Sequence, residues 1–427
     1  MSNAEERLRK VLNCIVQEKF PNASDVKIKP ISTDGANYTS VLFEVSIVTP
    51  EETQELFAKV ESMGDNLKDA SKLLSNIENF IFTSLTRAYE KLESKYRIKE
   101  KFTFPKFYKS VDGVVVMENL ASKGYEVYDR FKIIDWNYAS KSVEALARFH
   151  ALSFAFKNEC PEEFRKAGEV LYIPLAIYTS FHSDGQTDAA MAAVDEEDRK
   201  KLCELLEGSK GMSKGMDLTE PRKTAVIVHG DYRASNLMHK EVVSTFFAWL
   251  LSICNILFMF NNQINRHNYN NNAGIQQDSL NIMVKSNNDK MNVTNGEYHV
   301  IPVDYQTARL GCPVSDLLYF IFLGTDQQFR KKHYHQLLDH YYQHLTLMMT
   351  KFGLQPGAVY GREEFESDIK AKLPVALSVA AVILPFVTVD VNSAPKFASG
   401  QFAPRTNEQF VARFRGLVQD LKQWGVI

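Results

Sequence analysis

The sequence predicts an α+β chain of two unequal lobes, a small β-rich N-terminal lobe and a larger, mostly helical C-terminal lobe. Three observations predict it. Between Val26 and Val60 apolar and polar residues alternate with the two-residue period of strands. From Trp136 onward apolar residues recur at three- and four-residue steps, the signature of one helix face. A chain of 427 residues, 45% apolar and 24% charged, has material for two or three compact domains or one two-lobed enzyme.

Taken in order, the N-terminal stretch MSNAEERLRKVLNCIVQEKF has charges breaking every apolar run and does not read as a secretory signal. It reads as an amphipathic helix with Leu8, Leu12 and Ile15 on one face. Val41, Phe43, Val45 and Ile47 then mark one strand, and Glu55 to Val60 a second. A helical stretch covers Asp69 to Tyr96, and the run Val114 to Met117 is a short buried strand ending at Glu118-Asn119-Leu120. Trp136 to Phe156 is helical through Val143, Leu146, Ala147, His150 and Ala151, and helices resume at 199–206 and from Leu317 to the end. These boundaries give an N-terminal lobe over 1–118 and a C-terminal lobe over 119–427.

Composition excludes some functions. Fifty basic and 52 acidic residues leave a net charge of −2, so no global basic field points to nucleic acid. Five scattered cysteines without CxxC spacing read as free thiols in a reducing compartment, which makes the cytoplasm the expected location.

The chemistry is concentrated in VIVHGDYRASN, Val226 to Asn236. An apolar strand delivers His229-Gly230-Asp231 onto a loop, and Asn236 follows Asp231 by five residues. Phosphoryl transfer from ATP to a hydroxyl needs a carboxylate to orient the hydroxyl and accept its proton, with an oxygen ligand for Mg2+ beside it. Protein kinases meet both needs with Asp-x-x-x-x-Asn on one loop. A second carboxylate must hold the metal against the phosphates, and Asp304 supplies it at the end of the apolar run Val300 to Val303, with Tyr305 following. HGD alone is most simply a turn between strands; it gains force from Asn236, Asp304 and an upstream lysine in kinase order. That lysine is Lys59, in LFAKV, where a strand lysine meets the α- and β-phosphates. Gly35, Asn37 and Ser40, in GANYTS, suit a phosphate-covering turn, although a plain hairpin turn accounts for them nearly as well. Glu118 and Leu120 hold the chain position of a hinge whose backbone meets adenine.

With these residues assembled, the chain resembles the insect ecdysteroid kinase-like family, related to choline and aminoglycoside kinases. The resemblance is carried by GANYTS, LFAKV, VMENL, LARFHALS, VHGDYRASN and VDYQTARLGCPVSDLLYF, and runs through nearly the whole chain apart from 242–279. It implies a protein-kinase-like fold and ATP- and Mg2+-dependent phosphorylation of a small-molecule hydroxyl, with steroid alcohols the namesake substrates. By the same resemblance Asp231 would be the catalytic base, Asn236 and Asp304 the Mg2+ ligands, and Lys59 the phosphate contact. His229 would brace the loop, and Asp316 would bond loop backbone. His150, on the apolar face of its helix, reads as a satisfied core histidine.

Two departures from the family pattern set up alternatives. Aligning Phe82 and Tyr89 puts Leu85 where the family has the glutamate that pairs with the lysine. Glu78 lies roughly 10 Å away by helix rise, too far for a simple exchange. Either the alignment slips locally or the enzyme is impaired, and a nucleotide- or ligand-binding pseudokinase is the alternative to an active kinase. The second departure follows Asn236. SNLMHK (235–240) and LNIMVK (280–285) duplicate one strand, their asparagines 45 residues apart. Between them lie a 19-residue uncharged run, 242–260, and an Asn-rich tract. The expectation is an anomalous insertion over 237–281 of the kind a retained intron would encode. A membrane span there would separate Asp231 from Asp304 by a bilayer roughly 30 Å thick, incompatible with one metal site.

Overall fold

The structure, a computed structural model, describes residues 3–32, 40–63, 67–129, 132–174, 177, 187–207, 218–242, 297–389 and 406–427. The contact pattern gathers Met1–His239 with Val300–Ile427 into one compact unit and Lys240–His299 into a second. Of the second unit, only 240–242 and 297–299 are described.

The N-terminal lobe is a five-stranded antiparallel sheet built from β1 (Asp25–Ile31), β2 (Ser40–Val48), β3 (Thr53–Glu61), β4 (Phe107–Val111) and β5 (Val114–Glu118), in the order β1-β2-β3-β5-β4. Period-two alternation decides its two faces. Phe43, Val45 and Ile47 of β2, Leu56, Ala58 and Val60 of β3, and Val114 and Val116 of β5 form one buried layer. Helix α1 (Asn3–Lys19) closes that layer with Leu8, Val11, Leu12 and Ile15. Lys59 lies between Ala58 and Val60 and so points to the opposite face, with Leu42 and Val115 as its register partners. One face of the sheet makes the core, and the other is left for the lysine.

Helix α2 (Lys68–Phe80) and helix α3 (Thr86–Lys95) are joined by a π turn, Ile81–Leu85, where the sequence reads as a single helix. A π turn widens the backbone by one residue and offsets the faces on either side.

In the C-terminal lobe the hub is α4 (Trp136–Glu159), buried along most of its length. Helices α5 (Pro161–Val170), α6 (Asp188–Ala192) and α7 (Glu196–Glu207) follow. After them come the short strands β6 (Glu126–Val127, preceding α4 in the chain), β7 (Val226–Val228), β8 (Leu237–Val242), β9 (Glu297–Pro302) and β10 (Arg309–Gly311). They form a three-stranded sheet of order β6-β8-β9 and an antiparallel β7–β10 pair. Helices α8 (Val314–Gly324), α9 (Gln327–Lys351), α10 (Pro356–Val359), α11 (Arg362–Thr388) and α12 (Glu408–Gln423) complete the lobe. Among the described residues only α11 is long and apolar enough to cross a membrane, and 67% of its most apolar window is buried inside the fold, as in a core helix.

This is the expected α+β, protein-kinase-like arrangement of a small sheet lobe and a larger helical lobe. The insertion fares differently. The strand after the catalytic-type loop is built from the first copy of the duplicated segment, Leu237–Val242, whose Met238 and His239 pair with Val127 and Glu126. The two copies carry nearly the same strand pattern, so sequence alone cannot choose between them. The apolar run from 243 and the second copy, 280–285, lie outside the described residues.

Candidate active site

The loop after β7 is fixed from below by one buried carboxylate. Asp316, near the start of α8, accepts from the backbone N–H of His229 through Oδ2 at 2.7 Å and of Gly230 through Oδ1 at 2.9 Å. His150 approaches the same Oδ2 at 3.2 Å and meets Tyr341 on its other side at 2.6 Å, the satisfied core histidine that the helix face suggests. Burial works against the Asp316 charge, but His150, His229 and the backbone donors outweigh it and hold its pKa below the ordinary aspartate value.

Gly230 is required by conformation and by space. Its φ of +83° is in the left-handed region, and a Cβ there would sit 2.3 Å from the carbonyl oxygen of Thr307. Gly230→Ala is expected to cost about 2 kcal/mol or more in denaturant unfolding. Gly425→Ala, at φ +69° with nothing within 4 Å, isolates the conformational part and is expected to cost about 1 kcal/mol. Equal losses for the two variants would show that the Thr307 contact yields freely.

Above this base, Asp231 is held by three side chains. Its Oδ2 accepts from Asn236 Nδ2 at 2.8 Å, its Oδ1 from the Tyr319 hydroxyl at 2.8 Å, and Arg233 Nε lies 3.2 Å from Oδ1. Asn236 Nδ2 also donates to the Asp231 carbonyl at 3.0 Å, which leaves the amide oxygen as the acceptor end of that side chain.

Three hydrogen bonds then join this loop to the segment carrying Asp304. Val303 N–H donates to the Asn236 carbonyl at 2.9 Å, His229 Nε2 meets the Val303 carbonyl at 3.0 Å, and the Thr307 hydroxyl donates to the His229 carbonyl at 3.2 Å. Asp231 N–H donates to His229 Nδ1 at 3.3 Å, so the ring proton sits on Nε2 and His229 donates to Val303. His229 thus links the residue before Asp304 to Asp231 itself, a bracing position.

Asp304 adopts φ 67°, ψ 63°, uncommon for a residue with a side chain and better tolerated by Asp than by most. Its Oδ1 accepts from Lys59 Nζ at 2.6 Å, and the same amine meets Gln306 Oε1 at 3.1 Å and Glu78 Oε2 at 3.3 Å. Burial opposes the Lys59 charge, but Asp304 and then Glu78 outweigh it and raise its pKa well above the usual lysine value. Asp304 is correspondingly lowered, its burial outweighed by Lys59. Glu78 is raised, because its own desolvation exceeds what Lys59 returns.

The lysine's partner is therefore Glu78, not a residue at position 85. Leu85 is 1% exposed and belongs to the core. The expectation of a loosely held Lys59 is corrected: Glu78, in α2 ahead of the π turn, meets the amine at 3.3 Å.

Of the nucleotide-side residues, Gly35 and Asn37 lie outside the described residues. Ser40 opens β2 and lines a small, open cleft together with Lys59, Glu78 and Gln306. Glu118 ends β5 with its carboxylate committed to Lys106 N–H at 2.7 Å and to the Lys123 amine, and its backbone N–H donates to the Lys106 carbonyl at 2.8 Å. Leu120 is buried, and its carbonyl accepts from the N–H groups of Lys123 and Tyr125. Among the described residues, no hydrogen bond joins Glu118 or Leu120 to the Lys59–Asp304 pair.

Sequence reasoning missed Glu78, Gln306, Arg233 and Tyr319. Two of them carried a readable signal. Tyr319 follows Asp316 by three residues on α8, so both project from one helix face toward the same loop. Arg233 lies inside the motif itself.

Asn236 and Asp304 offer an amide oxygen and a carboxylate on adjoining backbone. This is the hard-oxygen donor set that suits Mg2+, and the residues present fit that ion.

The model of the ecdysteroid kinase-like family matches residues 34–245 and 279–354. No curated protein matches. Two solved structures show weak likeness. One is the streptomycin–ATP–APH(2″)-IIa ternary complex, at TM-score 0.30 and 12% identity over 89% of this chain and 99% of that one. The other is spectinomycin phosphotransferase, APH(9)-Ia, in complex with ADP and spectinomycin, at TM-score 0.36 and 11% identity over 96% of this chain and 98% of that one.

Proposed function

The chain belongs to the ecdysteroid kinase-like family, and we propose that it transfers the γ-phosphoryl group of ATP to a hydroxyl of a small molecule, a steroid or xenobiotic alcohol in the first instance. The observation that carries this reading is the ion pair between Lys59 and Asp304, 2.6 Å apart in space and 245 residues apart in sequence. A partly buried pair drawn from segments so far apart in the chain is expensive to build, and the more it is desolvated the less it returns in stability. A phosphate-binding lysine beside a metal-binding carboxylate gives it a purpose.

In this reading Asp231 orients the acceptor hydroxyl and takes its proton at a carboxylate oxygen, while Tyr319, Arg233 and Asn236 fix the direction of that carboxylate. Lys59, kept cationic by its two carboxylates, binds the α- and β-phosphates, and Glu78 keeps it from turning away. Asn236 and Asp304 would hold Mg2+, which when bound neutralises charge on the β- and γ-phosphates. Ser40, with Gly35 and Asn37, would cover the phosphates, and the backbone at Glu118 and Leu120 would meet adenine. The Glu78–Lys59 pair answers one of the two grounds for the pseudokinase alternative, the leucine at position 85; the insertion beside the catalytic-type loop is the other.

Full-length protein with Mg-ATP and a panel of hydroxylated steroids, cholines and xenobiotic alcohols tests the proposal, ADP release being measured against product phosphate. Tight ATP binding without transfer to any alcohol would overturn it. Lys59→Met is expected to lower kcat/KM for ATP by about 10²–10³-fold, the scale of losing one preorganised cation at a developing charge.

The anomalous segment after β8 is proposed as additional to the family's fold and cytoplasmic in location with the rest of the chain, in line with the family match breaking off at 245 and resuming at 279. Transcript sequencing tests this; an abundant spliced message that keeps the segment counts against a retained intron.

A further inference from the structure

Away from the catalytic-type loop, helices α4 and α9 bring one carboxylate and two imidazoles together. His340 and His344 stand four residues apart on α9 and so share a face, with ring centroids 4.5 Å apart. Glu144 meets that face from α4. Its Oε1 lies 3.0 Å from His340 Nε2 and 3.8 Å from His344 Nε2. One ligand atom from each of the three residues falls within 4.8 Å of the others. Bonds of about 2.0–2.2 Å in a tetrahedron separate ligand atoms by roughly 3.3–3.6 Å, so small side-chain movements close all three onto one ion.

The protonation states suit a metal. Burial works against the Glu144 charge, but His340 and then Lys141 outweigh it and bring its pKa down to about 2. Burial lowers His344 below the ordinary histidine value, and Glu144 only partly offsets that; His340, Arg148 and Lys141 push the same way as burial. An ionised carboxylate and a neutral imidazole are the forms that ligate. Entry is open, since the side chains of His340 and His344 are 24% and 29% exposed. Two cations face the group. Arg148 is turned to Glu100 at 3.0 Å, whereas the Lys141 amine sits 3.2 Å from each Glu144 oxygen and is the competitor an ion must displace.

We propose that Glu144, His340 and His344 bind one Zn2+-type ion, which ties α4 to α9 and leaves its fourth position to water. Two imidazoles favour zinc over Mg2+, which takes oxygen ligands. The site is independent of the phosphoryl-transfer reading, and the ion's role is structural. The same two helices carry His150 and Tyr341, which meet at 2.6 Å beneath Asp316, so the ion stiffens the pair on which the loop rests.

Full-length protein stripped of metal with a chelator is titrated with Zn2+ by calorimetry and with Co2+ by visible absorbance and fluorescence. The expected result is one ion per chain, the strong visible absorption of four-coordinate Co2+, and quenching of Trp136, whose ring lies 5.7 Å from that of His340. Zn2+ at about 100 times its Kd is expected to raise Tm by about 2–5 °C. His344→Gln and Glu144→Gln are each expected to weaken Zn2+ binding by about 100-fold, at the upper end of what even a lost supporting contact costs. His335→Gln, on an exposed turn of the same helix, is expected to leave it unchanged. Lys141→Ala is expected to tighten it about 3–10-fold by removing the competing charge. Melting without metal shows which variants are folded. Absence of Zn2+ binding to the parent overturns the site, and so does binding that persists unchanged in both His344→Gln and Glu144→Gln.

Discussion

Asp231→Asn is expected to lower kcat by about 10³-fold while leaving the affinity for ATP within about threefold of the parent, because it removes the proton acceptor and spares the nucleotide side. The substitution keeps the shape of the side chain but replaces one carboxylate oxygen by a donor. An amide there can keep its oxygen toward Asn236 Nδ2 and turn its nitrogen toward the Tyr319 hydroxyl, which accepts as well as donates, so Asn236 keeps its place on the metal side. Steady-state ADP release, with nucleotide affinity measured separately by titration, checks the result. Retention of more than about a tenth of kcat would remove Asp231 from the chemistry. Part of the rate would survive in any case, because positioning by Lys59 and Asp304 does not depend on this carboxylate.

Asp316→Ala carries the largest expected effect on stability, about 3–5 kcal/mol, the usual result of deleting one partner from a buried charged network. Asp316 is 1% exposed, and its removal leaves the N–H groups of His229 and Gly230 without their acceptor and His150 without its carboxylate. A fall in Tm on the order of 5–10 °C follows from that loss in a chain of this size. The pH dependence has a definite sign. The folded-state pKa of Asp316 is depressed below its ordinary value. Its contribution is therefore fully present above the unfolded pKa of about 3.9 and disappears as pH falls through the lower folded value. The stability gap between parent and variant should be constant from neutral pH down to about pH 5 and close below about pH 4, as followed by urea unfolding across that range. A gap that widens toward acid would contradict the network as described.

The residues proposed for phosphoryl transfer are legible in the sequence because their chemistry is local. A base and an amide oxygen on one loop are bound to a short spacing, and Asp231 with Asn236 keep it. A metal carboxylate at the end of an apolar strand is also a local pattern, and Asp304 matches it. The sheet lobe was legible because period-two alternation is written residue by residue in β2 and β3. Alternation also assigns Lys59 to the face away from the core.

Glu78 was not legible, for a definite reason. Which turn of α2 lies opposite Lys59 is set by how the helix packs on the open face of the sheet, and no spacing along the chain encodes that contact.

By itself, then, the sequence determined the reaction type, the two lobes and the order of the chemical residues, since each follows from spacing along one chain. The tertiary structure alone decided which carboxylates hold Lys59 and which side chains surround Asp231. Those are relations between distant segments, set by packing and by burial of charge, and they exist only once the chain has folded.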